Sequence, residues 1–161
     1  MRRLPLLIIF ALSVAACGSS KETKGTTTTT TSSTTSSSLQ AFVTAGNKVC
    51  QDTDKRIMSL GRLTRDPRGW AKTADAARSG ILAMRKVSPP PERAQAFQRM
   101  MRYANALALS IQEVHNALVK KDIDTAAAAQ LAAGQFQNKV HETAKNAGLT
   151  FCQQPLTNWP A

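Results

Sequence analysis

"DPRGWAKTADAARSGILAMRKVSPPPE", Asp66 to Glu92, is the stretch whose reading decides the fold class. Trp70, Ala74, Ala77, Ile81 and Met84 recur at intervals of 4, 3, 4 and 3, which places them on one face of an α-helix. Both ends are marked as well. Asp66 can accept from amides exposed at a helix start, and Pro67 suits the first helical position, where its missing N–H is no loss. At the far end Ser88 precedes three prolines, which cannot continue a helix.

The same spacing recurs on either side. Upstream, Phe42, Val49, Thr53, Ile57 and Leu60 predict a helix that starts at Ala41 and ends near Gly61 to Thr64. Downstream, Phe97, Met101, Ala104, Ala108, Ile111 and Leu118 predict one from about Pro91 to Lys120, widened by Met100, Leu107 and Val114. "KKDID" makes the next turn, with lysines at a helix C-terminus and Asp122 or Asp124 at an N-terminus. A fourth, Ala-rich helix spans Thr125 to Ala147, with Leu131, Phe136, Val140 and Ala144 as its stripe and Gly148 as C-cap. No run alternates with period two, so a mixed α/β domain is the weaker alternative. Four amphipathic helices with short loops predict an all-α, up-down-up-down four-helix bundle over residues 41–161.

What precedes the bundle has a different character. Residues 1–16 carry Arg2 and Arg3, an apolar run from Leu4 to Val14, and Ala15-Ala16 before Cys17. This is the layout of an export signal, and the run is too short to span a hydrocarbon layer of about 30 Å. Val14-Ala15-Ala16-Cys17 resembles a bacterial lipobox, which implies acylation of Cys17 and removal of residues 1–16. Several acyl chains, at about 0.8 kcal/mol per buried CH2, would hold the protein stably on a membrane. Residues 17–40 then read as a disordered Thr/Ser-rich tether, since Leu39 is their one large apolar side chain after the cysteine. Thr26 to Ser38 could also accept O-glycans.

Cys50 and Cys152 fall in the first helix and just past the fourth. In the expected topology both lie at one pole, and an exported chain sits where a disulfide can persist. A Cys50–Cys152 bridge is the expectation; a reactive thiol pair is the alternative, without a C-x-x-C spacing to support it.

The formal charge is +11, or +9 without Arg2 and Arg3. The excess is concentrated between Lys55 and Arg102, where twelve Lys or Arg face Asp66, Asp75 and Glu92. An exported chain rarely meets cytosolic nucleic acid, so a protein partner or an anionic envelope component is the better match for such a surface. Arg62, Arg65 and Arg68 at one loop, with Arg85, Lys86 and Arg93 around the proline-rich loop, are the candidate binding residues.

Patterns that would indicate catalysis are missing from the sequence. His115 and His141 should lie nearly 20 Å apart along antiparallel helices rising about 1.5 Å per residue, too far to share a metal. "HETAK" lacks the second histidine of H-E-x-x-H, no E-x-x-H pair supports a di-iron site, and no C-x-x-C-H supports a haem. Asp52 and Asp54, two apart on a helix, point away from one another. Neither enzyme activity, cofactor nor metal is expected.

The opening "AFVTAGNKVCQDTDKRI", the break "VSPPPE" and the close Gly148-Leu149-Thr150-Phe151-Cys152 together resemble small uncharacterised actinobacterial lipoproteins. The resemblance implies a disulfide-bridged helical bundle on the outer face of the membrane or in the cell wall. It implies no activity. The tail "QQPLTNWPA", with Trp159, departs from the pattern. Two functions are consistent with these features. One is a tethered, non-catalytic interaction or scaffold module using the basic sector. The other is a carrier or sensor that holds a small apolar ligand between helices, shaped by Met84, Met100 and Met101 near Trp70 and Phe97.

Overall fold

The computed structural model describes residues 33–153. The signal segment, Cys17, the first part of the tether and the tail with Trp159 lie outside the described residues. Four helices carry the chain: α1 (Ser33–Met58), α2 (Pro67–Met84), α3 (Pro91–Val119) and α4 (Ile123–Ala147). A 3-10 turn, Phe151–Gln153, follows α4, and there is no strand among the described residues. The fold is all-α.

The helix ends obey the local rules. Asp66 accepts from the amide of Arg68 at 3.1 Å, with Pro67 as the first helical residue. Asp122 accepts from the amide of Thr125 at 3.0 Å and so fixes the start of α4. Gly148 closes α4 at φ 83°, a left-handed conformation that costs glycine least.

Helix α1 starts earlier than the sequence suggested, at Ser33 rather than Ala41. Residues 33–40, assigned to the tether, therefore continue the helix. The physical reason is Leu39, which packs against the cluster around Phe42 and extends the apolar stripe by a turn. Once that turn is formed, the preceding serines and threonines only have to propagate it.

Helices α3 and α4 pack along most of their lengths. Arg93 near the start of α3 donates to the carbonyl of Asn146 near the end of α4, at 3.0 Å, so the two run antiparallel. Helix α2 lies antiparallel to α3 in the same way. His115 Nδ1 meets the Pro67 carbonyl at 2.9 Å, and Arg78 reaches Gln112 at 2.6 Å. The face α4 buries is made of Ala126, Ala129, Ala133, Ala144 and Ala147, whose small side chains let α3 come close. Leu131, expected on that face, is instead 67% exposed. In an Ala-rich helix the large residue is not the reliable marker of the buried side, because close approach selects for small ones.

Two separate apolar clusters result. One gathers Leu63, Trp70, Ile111, Val114 and the first alanines of α4. The other gathers Phe42, Met84, Phe97, Met100, Leu149 and Cys152. Phe42 and Phe97 meet edge-on at 5.5 Å between ring centroids, an arrangement that aromatic pairs favour.

Helix α1 rests on α2 through a close crossing at Gly80. A Cβ there would lie 2.8 Å from Thr53 Cγ2 and 3.1 Å from Thr53 Cβ. Thr53 is held in place, since its hydroxyl donates to the Val49 carbonyl at 2.8 Å. Gly80→Ala gains about 1 kcal/mol of helix propensity, but overpacking costs about 1–3 kcal/mol. The expected outcome is a lower urea midpoint, recovered when Thr53→Ala is added in the same chain.

Candidate functional site

The site lies where the backbone of α1 stands away from α3 and α4. That helix packs on α2 and on the 3-10 turn, but no Cα of α1 comes within 8 Å of α3 or α4 among the described residues. Side chains of α1 bridge the gap at the Phe42 end, and further along a cavity of about 140 Å³ is left between the helices. Every helix contributes to its lining. Val49, Thr53 and Ile57 come from α1, Ala77, Gly80 and Ile81 from α2. Met101, Ala104 and Leu107 come from α3, and Val140 from α4. Met84 and Met100 line it from the Phe42 cluster, Ile111 from the Trp70 cluster, so the space sits where the two clusters fail to merge. Methionine side chains suit such a wall because they bend to fit different shapes.

The disulfide is also part of this wall. Cys50 and Cys152 are bonded, with Cα atoms 5.2 Å apart, and both line the cavity. Around them α1 is latched to the end of α4 over a single turn. Phe151 donates its amide to Asn47 Oδ1 at 3.1 Å, and Asn47 Nδ2 donates to Thr150 Oγ1 at 3.3 Å. Leu149, completely buried, packs directly on Gly46.

Besides Thr53, whose hydroxyl is bonded to the Val49 carbonyl, three polar side chains break the apolar lining: Asp54 from α1, and Gln137 and His141 one turn apart on α4. Asp52, two residues before Asp54, faces solvent and takes a hydrogen bond from Lys48 at 2.7 Å, which holds its carboxyl below the usual range. Asp54 faces inward, and burial pushes its carboxyl up. Burial likewise pushes the imidazole of His141 down, which favours its neutral form. Gln137 is 7% exposed. None of these three side chains makes a hydrogen bond or ion pair among the described residues. Asp54 and His141 are half-buried and their polar atoms keep contact with solvent, so three polar groups free of protein partners converge on one apolar cavity and are open to a ligand.

The residues expected from sequence divide in two. Met84, Met100 and Met101 do line the cavity, whereas Trp70 and Phe97 do not; they fill the clusters on either side. Among the basic residues, Arg62, Arg65, Arg68 and Lys86 are exposed, and their side chains make no hydrogen bond or ion pair among the described residues. Arg85 lies 3.4 Å from Asn105 Oδ1. Arg93 is engaged within the fold: half-buried, it satisfies a carbonyl at the end of α4.

Gln137 was not among the residues singled out from sequence, and Asp54 and His141 were weighed there only as an acid/base pair with Asp52 and a metal pair with His115, not as lining of one cavity. One signal was available. Gln137 and His141 stand four apart on the side of α4 otherwise marked by Ala133, Val140 and Ala144, where a solvent-facing residue would break the pattern. Compared with known proteins, the chain matches no family model, no curated protein and no solved structure.

Proposed function

We propose that this protein is an extracytoplasmic lipoprotein, anchored through Cys17, whose up-down-up-down bundle carries or senses a small apolar ligand. The cavity carries this reading. Its volume, about 140 Å³, is near the ~150 Å³ of an engineered apolar cavity that takes up benzene, so the buried part of a ligand would be about one ring or a short alkyl chain. The likeness to actinobacterial lipoproteins agrees with the anchor and envelope location, and no reaction is part of the proposal. The tether would give the bundle freedom to move near the membrane that holds it.

Native mass spectrometry of the protein, extracted gently from its own membrane, is the test. An added small-molecule mass that is lost on denaturation is the expected result, together with acyl groups on Cys17. Ala104→Leu puts carbon atoms into the cavity; it should keep or raise the melting temperature and abolish the added mass. A wild-type protein with neither the added mass nor a melting temperature raised by any small apolar compound overturns the carrier reading.

A second reading rests on a different observation. Arg62, Arg65 and Arg68 project from one loop region without acidic partners, as an interaction module for an acidic protein or an anionic envelope polymer would require. Such binding weakens strongly with salt, because the Debye length falls from about 30 Å at 0.01 M to about 3 Å at 1 M.

A further inference from the structure

We propose that the cavity selects a compact apolar amine, its ammonium set against Asp54 and its hydrocarbon part among the methionines; this rests on the carrier reading above. The first ground is charge. The chain has 21 Lys and Arg against 10 Asp and Glu, yet no Lys or Arg lines the cavity, and Asp54 is its one carboxylate. Excess positive charge elsewhere on the molecule is screened over about 8 Å at physiological salt. Within the cavity the local sign decides, and the one side chain there that can carry a negative charge is Asp54.

The second ground is hydrogen bonding. An ammonium is a donor with no acceptor, whereas an ionised carboxylate only accepts. The Gln137 amide oxygen and the unprotonated nitrogen of a neutral His141 can accept as well. All three groups lack partners in the protein. A cation therefore answers each of them. A neutral ligand would displace water from Asp54 without pairing its charge, and an anion would meet a like charge.

The third ground is what closing the ligand in would do. Asp54 comes from α1 and Gln137 and His141 from α4, whose backbones stand more than 8 Å apart. A cation between them would bridge the two walls of the cavity and add a polar link where the helices meet only through apolar side chains.

The test uses three probes with one ring and different heads: benzylammonium, benzyl alcohol and benzoate. The full chain, held in lipid nanodiscs, is titrated with each by calorimetry at pH 7, with empty nanodiscs subtracted. A hydrogen bond to a charged group typically contributes about 1.5–3 kcal/mol, so benzylammonium should bind at least about tenfold tighter than benzyl alcohol. Benzoate should be the weakest. Asp54→Asn should bring benzylammonium and benzyl alcohol to within about twofold of one another. Asp52→Asn, the same change of charge on the solvent side, should preserve the preference. Because burial opposes the Asp54 charge, Asp54→Asn should not lower the melting temperature of the empty protein, which separates lost selectivity from lost fold. Equal binding of alcohol and amine, tighter binding of benzoate, or an amine preference that survives Asp54→Asn overturns the amine proposal and leaves the carrier reading standing. Failure of all three probes to bind overturns both.

Discussion

Trp70→Ala should lower the unfolding free energy by about 3–5 kcal/mol, the range for removing a buried aromatic side chain. That is a large fraction of the roughly 5–15 kcal/mol that holds a domain of this size. Trp70 is 2% exposed and forms one cluster with Leu63, Ile111, Val114 and the alanines of α4. It stands one turn into α2, so it joins that helix to the loop before it and to the α3–α4 pair. Its indole Nε1 also donates to the Thr64 carbonyl at 2.8 Å. Alanine would empty the largest space in that cluster and leave the carbonyl without this donor. Trp70→Phe separates the two effects: it keeps most of the packing and loses the hydrogen bond, a net loss of about 1–3 kcal/mol if the carbonyl stays buried. Urea unfolding followed by far-ultraviolet circular dichroism measures both without relying on tryptophan emission. An unchanged midpoint for Trp70→Ala would show that this end of the molecule does not depend on its largest side chain.

The second large effect is expected from Cys50→Ser with Cys152→Ser. The bond closes a separation of 102 residues, for which chain entropy alone gives about 4.7 kcal/mol, and native disulfides typically contribute about 2–5 kcal/mol. The position of the bond raises its importance here. Apart from the side chains around Phe42, helix α1 is joined to the far side of the molecule through the turn at Phe151–Gln153, held by Asn47, Leu149 and the disulfide. The double serine variant should therefore lose stability and, because Cys50 and Cys152 also line the cavity, weaken ligand binding more than a change at a remote surface site. Urea midpoints of oxidised wild type and variant give the first quantity; the benzylammonium titration gives the second.

The helices were legible because their signals are local. Asp66 with Pro67, the prolines from Pro89 to Pro91, Asp122 and Gly148 each act within a few residues of where they stand. The pairing of Cys50 with Cys152 was legible because few partners were available and the expected topology brought them together. The cavity was not, because it depends on a distance between helices that share no sequence neighbourhood. Periodicity gives the direction in which Met101 or Ala104 faces, but not whether anything fills the space it faces. Asp54 shows the difficulty most clearly. By sequence it resembles Asp52, yet a rotation of two residues around α1 takes one carboxylate to Lys48 and solvent and the other to the interior. Leu131 and Ala133 show the same thing in reverse, since the small residue is the buried one.

The latch between α1 and the end of α4 also bears on time. The α3–α4 pair joins neighbours in the chain, and such local pairings close early, at small entropic cost. The contact of Gly46, Asn47 and Cys50 with residues 149–152 spans nearly the whole described chain and is the costliest to close. A cross-link across a contact made late raises the unfolded ensemble and the folding transition state together, so it leaves the rate of formation almost unchanged and slows escape from the native state. For this molecule the disulfide is a determinant of lifetime more than of speed of assembly.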